Sequence, residues 1–337
     1  MRLSKIMIKL DLKDKKILYQ LDLDCRQTNT EIGRKVGLSK QVVGFRIQRL
    51  LEQQAILKFY AVIDISKLGF TVHKNFLRLQ NMNKEKEQEF FEYARNNPNV
   101  VWATSCDGKY DFIFSTWAED VEYLNNVLKE LNSRFGQFIY DRQTATILRG
   151  QYFSREYLIK KKRSTISSSS SFGAVPHKVK VDDTDWKILL ALGEDARMSA
   201  VDIAAKAEIS ADAVSNRIRK LEKSGVLQRY MIVLNEQVVP YLHYKVLLSL
   251  KNNSDSIEHT LISYCSTYNS IVYIVKALGR WDFELDLEVE SVEQFREAMI
   301  DLKNQFQNDL KDYSTLSIYQ VHKYNFCPSI PKRVSSY

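Results

Sequence analysis

Little in this sequence can staple the chain covalently, bind a metal or cross a membrane. Its 337 residues include four cysteines, Cys25, Cys106, Cys265 and Cys327, with no CxxC spacing. That pattern favours reduced, buried thiols over a disulfide or zinc framework. The five histidines are scattered, so no metal site is expected, and nothing calls for a cofactor. No apolar run approaches the 18 or so residues that a membrane span requires. Residues 1–10 hold only the patch Ile6, Met7 and Ile8, too short for a secretory signal. The expectation is a cytoplasmic protein without membrane association.

What the chain has instead is a second copy of itself. Asp11, Asp14, Lys16, Ile17, Leu18, Leu21, Arg26, Ile32, Ser39, Val43, Arg46, Ile47 and Leu50 return 171 residues later. They become Asp182, Asp185, Lys187, Ile188, Leu189, Leu192, Arg197, Ile203, Ser210, Val214, Arg217, Ile218 and Leu221. Gly108, Asp111 and Phe112 likewise match Gly279, Asp282 and Phe283. Solenoid units run about 20–50 residues, so this period denotes a duplicated two-domain protein.

Each copy opens with three short amphipathic helices. Asp11 caps the first, the capping box Thr28-x-x-Glu31 opens the second, and Gly37 ends it. Ser39 caps a third, with Val43, Ile47 and Leu50 on one face. The second copy repeats the plan through Asp182, Ser199-x-x-Asp202 and Ser210. Three helices with a tight turn before the third make a helix-turn-helix. The β-rich runs Ile56–Ile63 and Leu227–Leu234 read as a wing or connecting hairpin. The rest of each half reads βαββαβ. The fold class is therefore α+β: two winged helix-turn-helix domains, each followed by a ferredoxin-like βαββαβ domain.

The expected domains are 1–64, 65–153, 182–235 and 236–325, with a basic, Ser-rich linker at 154–181 and a tail at 326–337. Lys160–Arg163 followed by Ser164–Ser171 reads as a solvated, flexible linker, and phosphate contact or nuclear import are its alternatives. The net charge of +8 is unevenly placed. Residues 1–64 hold 13 Lys and Arg against 7 Asp and Glu, whereas residues 178–235 hold 10 against 9. A polyanion should therefore prefer the first head.

Taken together, Asp14-x-Lys16-Ile17-Leu18, Arg26, Glu31-Ile32, Gly37-Leu38-Ser39 and Val43-x-x-Arg46-Ile47-x-x-Leu50 resemble the Lrp/AsnC (feast/famine) transcription regulators. The second copy is similar through Ser210 to Leu221, Gly225-Val226-Leu227 and Arg229-Tyr230. The resemblance implies a double-stranded-DNA-binding regulator whose αβ domains assemble and often bind a small effector, an amino acid by family habit. It departs from the usual single unit by being tandem. Gln54 also stands where a helix-ending glycine is expected, and Glu208 replaces the glycine of the second turn.

In a helix-turn-helix the third helix reads base edges. The candidate DNA-binding residues are Lys40, Gln41, Gly44, Phe45, Gln48 and Arg49 in the first copy, and Ser215, Asn216, Arg219 and Lys220 in the second. Gln and Asn can address adenine, Lys can meet guanine or phosphate, and Phe can contact a thymine methyl. Asp212 opposes phosphate at the second helix's N-terminus, which again favours the first head. For Arg46 and Arg217 a salt bridge and a phosphate contact are equally weighted. The turns Gly108-Lys109-Tyr110-Asp111 and Gly279-Arg280-Trp281-Asp282 are the candidate effector loops, through Gly108, Tyr110, Asp111, Gly279, Trp281 and Asp282. A plain β-turn is their alternative.

The strand holding Phe283, Leu285 and Leu287 alternates them with Glu284, Asp286 and Glu288. One face is buried; the other is acidic, and either wet or met by a basic partner. The two αβ domains are expected to pair within one chain as a pseudo-dimer, with a homo-oligomer equally open. The enzyme alternative is a siroheme-decarboxylase-like protein, which needs clustered His and Arg, whereas His73, His243, His259 and His322 are dispersed in sequence. A co-regulator with heads that no longer bind DNA is the third class.

Overall fold

Each first turn is nucleated by a side chain that satisfies an otherwise orphan backbone amide. The computed structural model describes residues 7–163, 170–173 and 178–327. It begins with α1 (Leu12–Leu23), α2 (Asn29–Val36) and α3 (Lys40–Glu52). Asp11 with Asp14 and Thr28 with Glu31 form reciprocal capping boxes, and Ser39 caps α3. Next come β1 (Ile56–Ile63), β2 (Thr71–Leu79), α4 (Lys84–Asn96), β3 (Val100–Gly108), β4 (Phe112–Ala118), α5 (Val121–Phe135) and β5 (Ile139–Tyr152).

After the short β6 (Ser170–Phe172) the plan repeats. Its helical head is α6 (Asp183–Glu194), α7 (Ala200–Ala207) and α8 (Ala211–Lys223), followed by β7 (Leu227–Leu234). Its αβ unit is β8 (Leu242–Leu250), α9 (Asp255–Thr267), β9 (Ile271–Leu278), β10 (Phe283–Val289), α10 (Val292–Gln305) and β11 (Leu310–Tyr324).

The sheets show why the duplication is needed. Each half builds four antiparallel strands in ferredoxin-like order: β5-β2-β4-β3 in the first, β11-β8-β10-β9 in the second. The ends of the two sheets then join across the halves, β5 to β9 and β11 to β3. Eight strands thereby close into a barrel. Gly150 meets Val275 on one seam and Val321 meets Thr104 on the other, the same pair exchanged by the repeat. A closed sheet leaves no free edge at those seams.

β1 and β7 form no local wing hairpin. They pair antiparallel with each other, with Tyr60 opposite Met231. Those two positions are repeat equivalents, so the pseudo-two-fold axis passes between them. Each head then docks on the other half's strand: the Cys25 amide donates to the Tyr230 carbonyl at 3.0 Å, and the Ala196 amide donates to that of Phe59 at 3.1 Å. Both heads consequently share one hydrophobic core, in which Ile17, Leu18, Ile188 and Leu189 are fully buried. Separate cores lie beneath the outer helices, around Phe90, Phe112 and Phe135 in one half and Leu261, Phe283 and Leu285 in the other.

The segment expected to be a solvated linker starts as a packed one. Arg155 is buried, donating to Asp22 of α1 at 2.5 Å and to Glu288 of β10 at 2.8 and 2.9 Å. Arg163, the last residue of the basic cluster, is buried too. It donates to Glu156 and to the carbonyls of Ser154, Tyr268 and Ile271. Lys160–Lys162 remain exposed. Residues 164–169 of the Ser-rich run, and the tail from 328 onward, lie outside the described residues. Among the described residues no helix is long and apolar enough to cross a membrane.

Candidate nucleic-acid interface

α3 lies with Val43, Ile47 and Leu50 inward, so its opposite face is turned out. There Lys40, Gln41, Phe45 and Gln48 are exposed, and Gly44 and Arg49 are half-exposed. Phe45 is 70% accessible, a large apolar surface that nothing in the head covers. In α8, Asn216, Arg219 and Lys220 are exposed. Ser215 is half-buried and its hydroxyl donates back to the Ala211 carbonyl at 3.0 Å.

The arginines divide. Arg46 donates to Asp11 and Asp14 at 2.7 Å each. Its repeat equivalent Arg217 donates to Asp182 and Asp185 at 2.8 Å. Both tie the third helix of a head to the first, which settles them as salt bridges. Arg49 donates to Asp14 at 2.6 Å, so part of its donor capacity is structural. At Gly44 a Cβ would come within 3.1 Å of the side-chain Nδ2 of Asn29, a close but yielding neighbour.

The four glycine-or-equivalent positions that punctuate the heads all adopt left-handed backbone. Gly37 and Gly225 have φ of 69° and 71°, and their non-glycine counterparts Glu208 and Gln54 have φ of 59° and 55°. Both substitutions of the sequence pattern are accommodated without changing the fold.

The two candidate effector turns are built as turns. The Asp111 carboxylate accepts the Leu79 amide at 2.7 Å, and that of Asp282 accepts the Leu250 amide at 2.7 Å. Gly108 has φ of 132° and lies against the Thr315 carbonyl, while Gly279 packs on Ala145. Tyr110 and Trp281 are 1% and 5% exposed and both pack on Phe76 inside the barrel. The rings of Tyr110 and Trp281 and one oxygen of each aspartate are taken up by the fold, while Asp111 is exposed and the buried Tyr110 hydroxyl has no hydrogen-bond partner among the described residues.

The structure gathers a charged group elsewhere, in the barrel interior. Phe283, Leu285 and Leu287 face the helices, so Glu284, Asp286 and Glu288 point inward, where all three are buried. The Lys74 ammonium donates to Glu284 at 2.6 Å, and Lys245 donates to Asp286 at 2.7 Å. His243 meets Asp286 at 2.8 Å and Glu236 at 3.4 Å. Burial alone would lower the His243 pKa, but those carboxylates hold its proton and push it up to about 9. Lys74 is pulled down by burial, against the pull of Glu284. The acidic face is therefore neither wet nor waiting for an external partner; its basic partners are internal.

His243 is thus gathered with Lys74, Lys245 and Arg155, although the histidines as a set stay apart. His73 bonds Thr71 and Thr146, His322 bonds Ser105, and His259 is exposed. The sequence signal for this cluster is His243 and Lys245 at alternate positions of β8, facing the acidic alternation of β10. All four cysteines are buried free thiols. Among the described residues no group of His, Cys, Asp and Glu has the makings of a metal site.

Comparison with known proteins addresses both copies. The AsnC-type helix-turn-helix domain matches residues 10–51 and again 181–222. The transcriptional regulator AzlB of Bacillus subtilis is 31% identical over 122 residues, 36% of this chain and 78% of that protein. The leucine-responsive regulatory protein of Rhizobium meliloti is 29% identical over 145 residues, 43% of this chain and 93% of that protein. Over the whole length, the crystal structure of the siroheme decarboxylase NirDL shares the fold with a TM-score of 0.59, covering 94% of each chain at 13% identity. That likeness concerns architecture alone. With two AsnC-type heads and relatives of this identity and coverage, the chain belongs to the Lrp/AsnC family, as a tandem-duplicated member.

Proposed function

We propose that this protein is a sequence-specific, double-stranded-DNA-binding transcription regulator without enzymatic activity, working inside the cell and tuned by a small molecule of the amino-acid class. The observation that carries the reading is the outward face of α3, where Lys40, Gln41, Phe45 and Gln48 stand exposed beyond a buried apolar stripe. Those groups supply base-edge and phosphate contacts, and Phe45 a surface for a thymine methyl. The first head, richer in basic residues, is the main anchor. The second contributes Asn216, Arg219 and Lys220 more weakly. Because both heads sit on one closed barrel, they address two half-sites separated by whole helical turns, about 10 bp each.

Selection of bound duplexes from a random pool tests this directly. An enriched motif with two unequal half-sites is expected. Retention of all sequences equally, or of none, would refute the reading.

A decarboxylase role draws support from the shared architecture with NirDL. Against it, the cations in the barrel already have carboxylate partners, whereas tetrapyrrole carboxylates require unpaired cations. Absorbance of the purified chain with and without added tetrapyrrole decides the point: a Soret-type band that titrates to saturation would favour the enzyme.

A further inference from the structure

We propose that Arg197 and Asn29 form a cross-head latch: it fixes how α3 is presented relative to the second head, and so sets the half-site spacing the protein accepts. This rests on the reading of a DNA-binding regulator and names positioning residues for it, neither of which is a base-reading group.

The latch begins as one residue used twice. Arg26 and Arg197 are repeat equivalents, each in the turn after the first helix of its head. Each reaches out of its own half. The Arg26 guanidinium lies over the Tyr230 ring at 5.3 Å, and that of Arg197 lies over the Phe59 ring, also at 5.3 Å. Tyr230 and Phe59 are equivalents in turn, on β7 and β1. A ring face attracts and orients the cation above it.

From there the two arginines part. Arg26 donates to backbone, the carbonyls of Ala196 and Met198 at 2.5 and 3.2 Å. Arg197 donates to a side chain, the Oδ1 of Asn29 at 3.2 Å. Asn29 is the first residue of α2, and its Nδ2 lies where a Cβ on Gly44 of α3 would come within 3.1 Å. The second head thus touches the first recognition helix through a single intermediate side chain. The reverse path cannot form. Asn29 and Gly44 have Ala200 and Ser215 as equivalents; Ala200 offers no side-chain acceptor, and Ser215 bonds back to its own helix.

Stability does not account for the arrangement. The Nη1 of Arg197 is buried with no hydrogen-bond partner among the described residues. An unspent buried donor costs free energy, so the side chain is held there for what its other nitrogen does. The helix it braces belongs to the more basic head, the main anchor. Two half-sites held by one unit reinforce each other only where both can be engaged at once, so the angle of that helix decides which spacing is accepted.

Fluorescence anisotropy tests this with two duplexes. One carries the half-sites at the spacing selected by the wild type, and the other has two base pairs inserted between them. The insertion turns the second half-site by about 70°, at about 10 bp per turn. The wild type should bind the shifted duplex roughly ten-fold more weakly. Asn29→Ala places in the first head the residue that the second head carries at that position, and should cut the ratio to about three-fold or less. Arg197→Ala severs the same contact from the other side and should match it. Asn29→Asp keeps the accepting oxygen and should retain the wild-type ratio. A uniform change in affinity cancels in that ratio, and circular dichroism checks folding; should one alanine variant not fold, the other decides. Discrimination as sharp as wild type in a folded alanine variant, or its loss in Asn29→Asp, would overturn the latch. So would a wild type that enriches a motif yet accepts both spacings equally, which leaves DNA binding standing. A wild type that enriches no duplex defeats the regulator reading itself, and the latch with it.

Discussion

Arg155 connects three parts of the chain through one guanidinium. Its Asp22 partner belongs to the first head and its Glu288 partner to the second half's barrel strand, and all three are buried. Removing one member of such a group leaves the others charged in a poorly solvated interior, which typically costs about 3–5 kcal/mol. Arg155→Ala should accordingly lower the unfolding free energy by about that amount, read from the urea midpoint. A loss below roughly 1 kcal/mol, the scale of an exposed pair, would show that water reaches the group.

His243 gives a pH signature of definite sign. Its pKa is raised from 6.5 to about 9 in the folded chain, so its stabilisation is complete below 6.5 and fades as pH climbs through 9. His322 acts oppositely. Burial, with Arg95 nearby, lowers it to about 4, so its contribution fades as pH falls from 6.5 toward 4. Between pH 6.5 and 9.5 the chain should lose on the order of 2 kcal/mol that His243→Gln does not lose. Parallel chemical-denaturation series would show equal slopes if the histidine were neutral.

Among the elements, those specified by neighbours in sequence are legible in the sequence itself. Thr28 and Glu31 are three residues apart and their reciprocal bonds form as the spacing requires. The first helix of the βαββαβ pattern forms as α4 at Lys84–Asn96. What escaped is pairing between distant strands. The short runs Ile56–Ile63 and Leu227–Leu234 have the alternation of any half-buried strand, and nothing within either names the other as partner. The acidic stripe of β10 was visible, but its cations arrive on β2, β8 and the segment after β5, brought there only when the barrel closes. Arg155 and Arg163 looked solvated because composition reports a segment's average, not one side chain's destination.

The recognition helices carry the functional prediction at this scale. Lys40 is exposed and unburdened by the Asp14 network that engages Arg46 and Arg49, so it is the cleaner probe. Lys40→Glu should weaken DNA binding roughly ten-fold and reduce the slope of log K against log salt by about 1, as loss of a phosphate contact does. Lys220→Glu on α8 should do less. Equal losses, measured by fluorescence anisotropy over a salt series, would contradict the ranking of the heads.

For the whole molecule, the interior charges make the two halves unequal partners. Lys74 and Arg155 come from the first half, while Glu284, Asp286, Glu288, Lys245 and His243 come from the second. Two first halves would leave Lys74 without Glu284 and Arg155 with only Asp22, and two second halves would bury an excess of carboxylates. Coexpressed as separate chains, residues 1–163 and 178–337 should therefore assemble into the mixed pair in preference to either homodimer. Native mass spectrometry would count the species, and a statistical mixture would refute the preference.

The seams of the barrel carry one more consequence. Strands at an open edge invite another chain to add on, and here both ends of each four-stranded sheet are already taken by the other half. The eight-stranded ring is saturated in backbone hydrogen bonding around its circumference. Copies of this protein brought side by side would therefore meet through side chains on the outer helices or the heads, contacts that salt and dilution can undo, and not by adding strands to the ring itself.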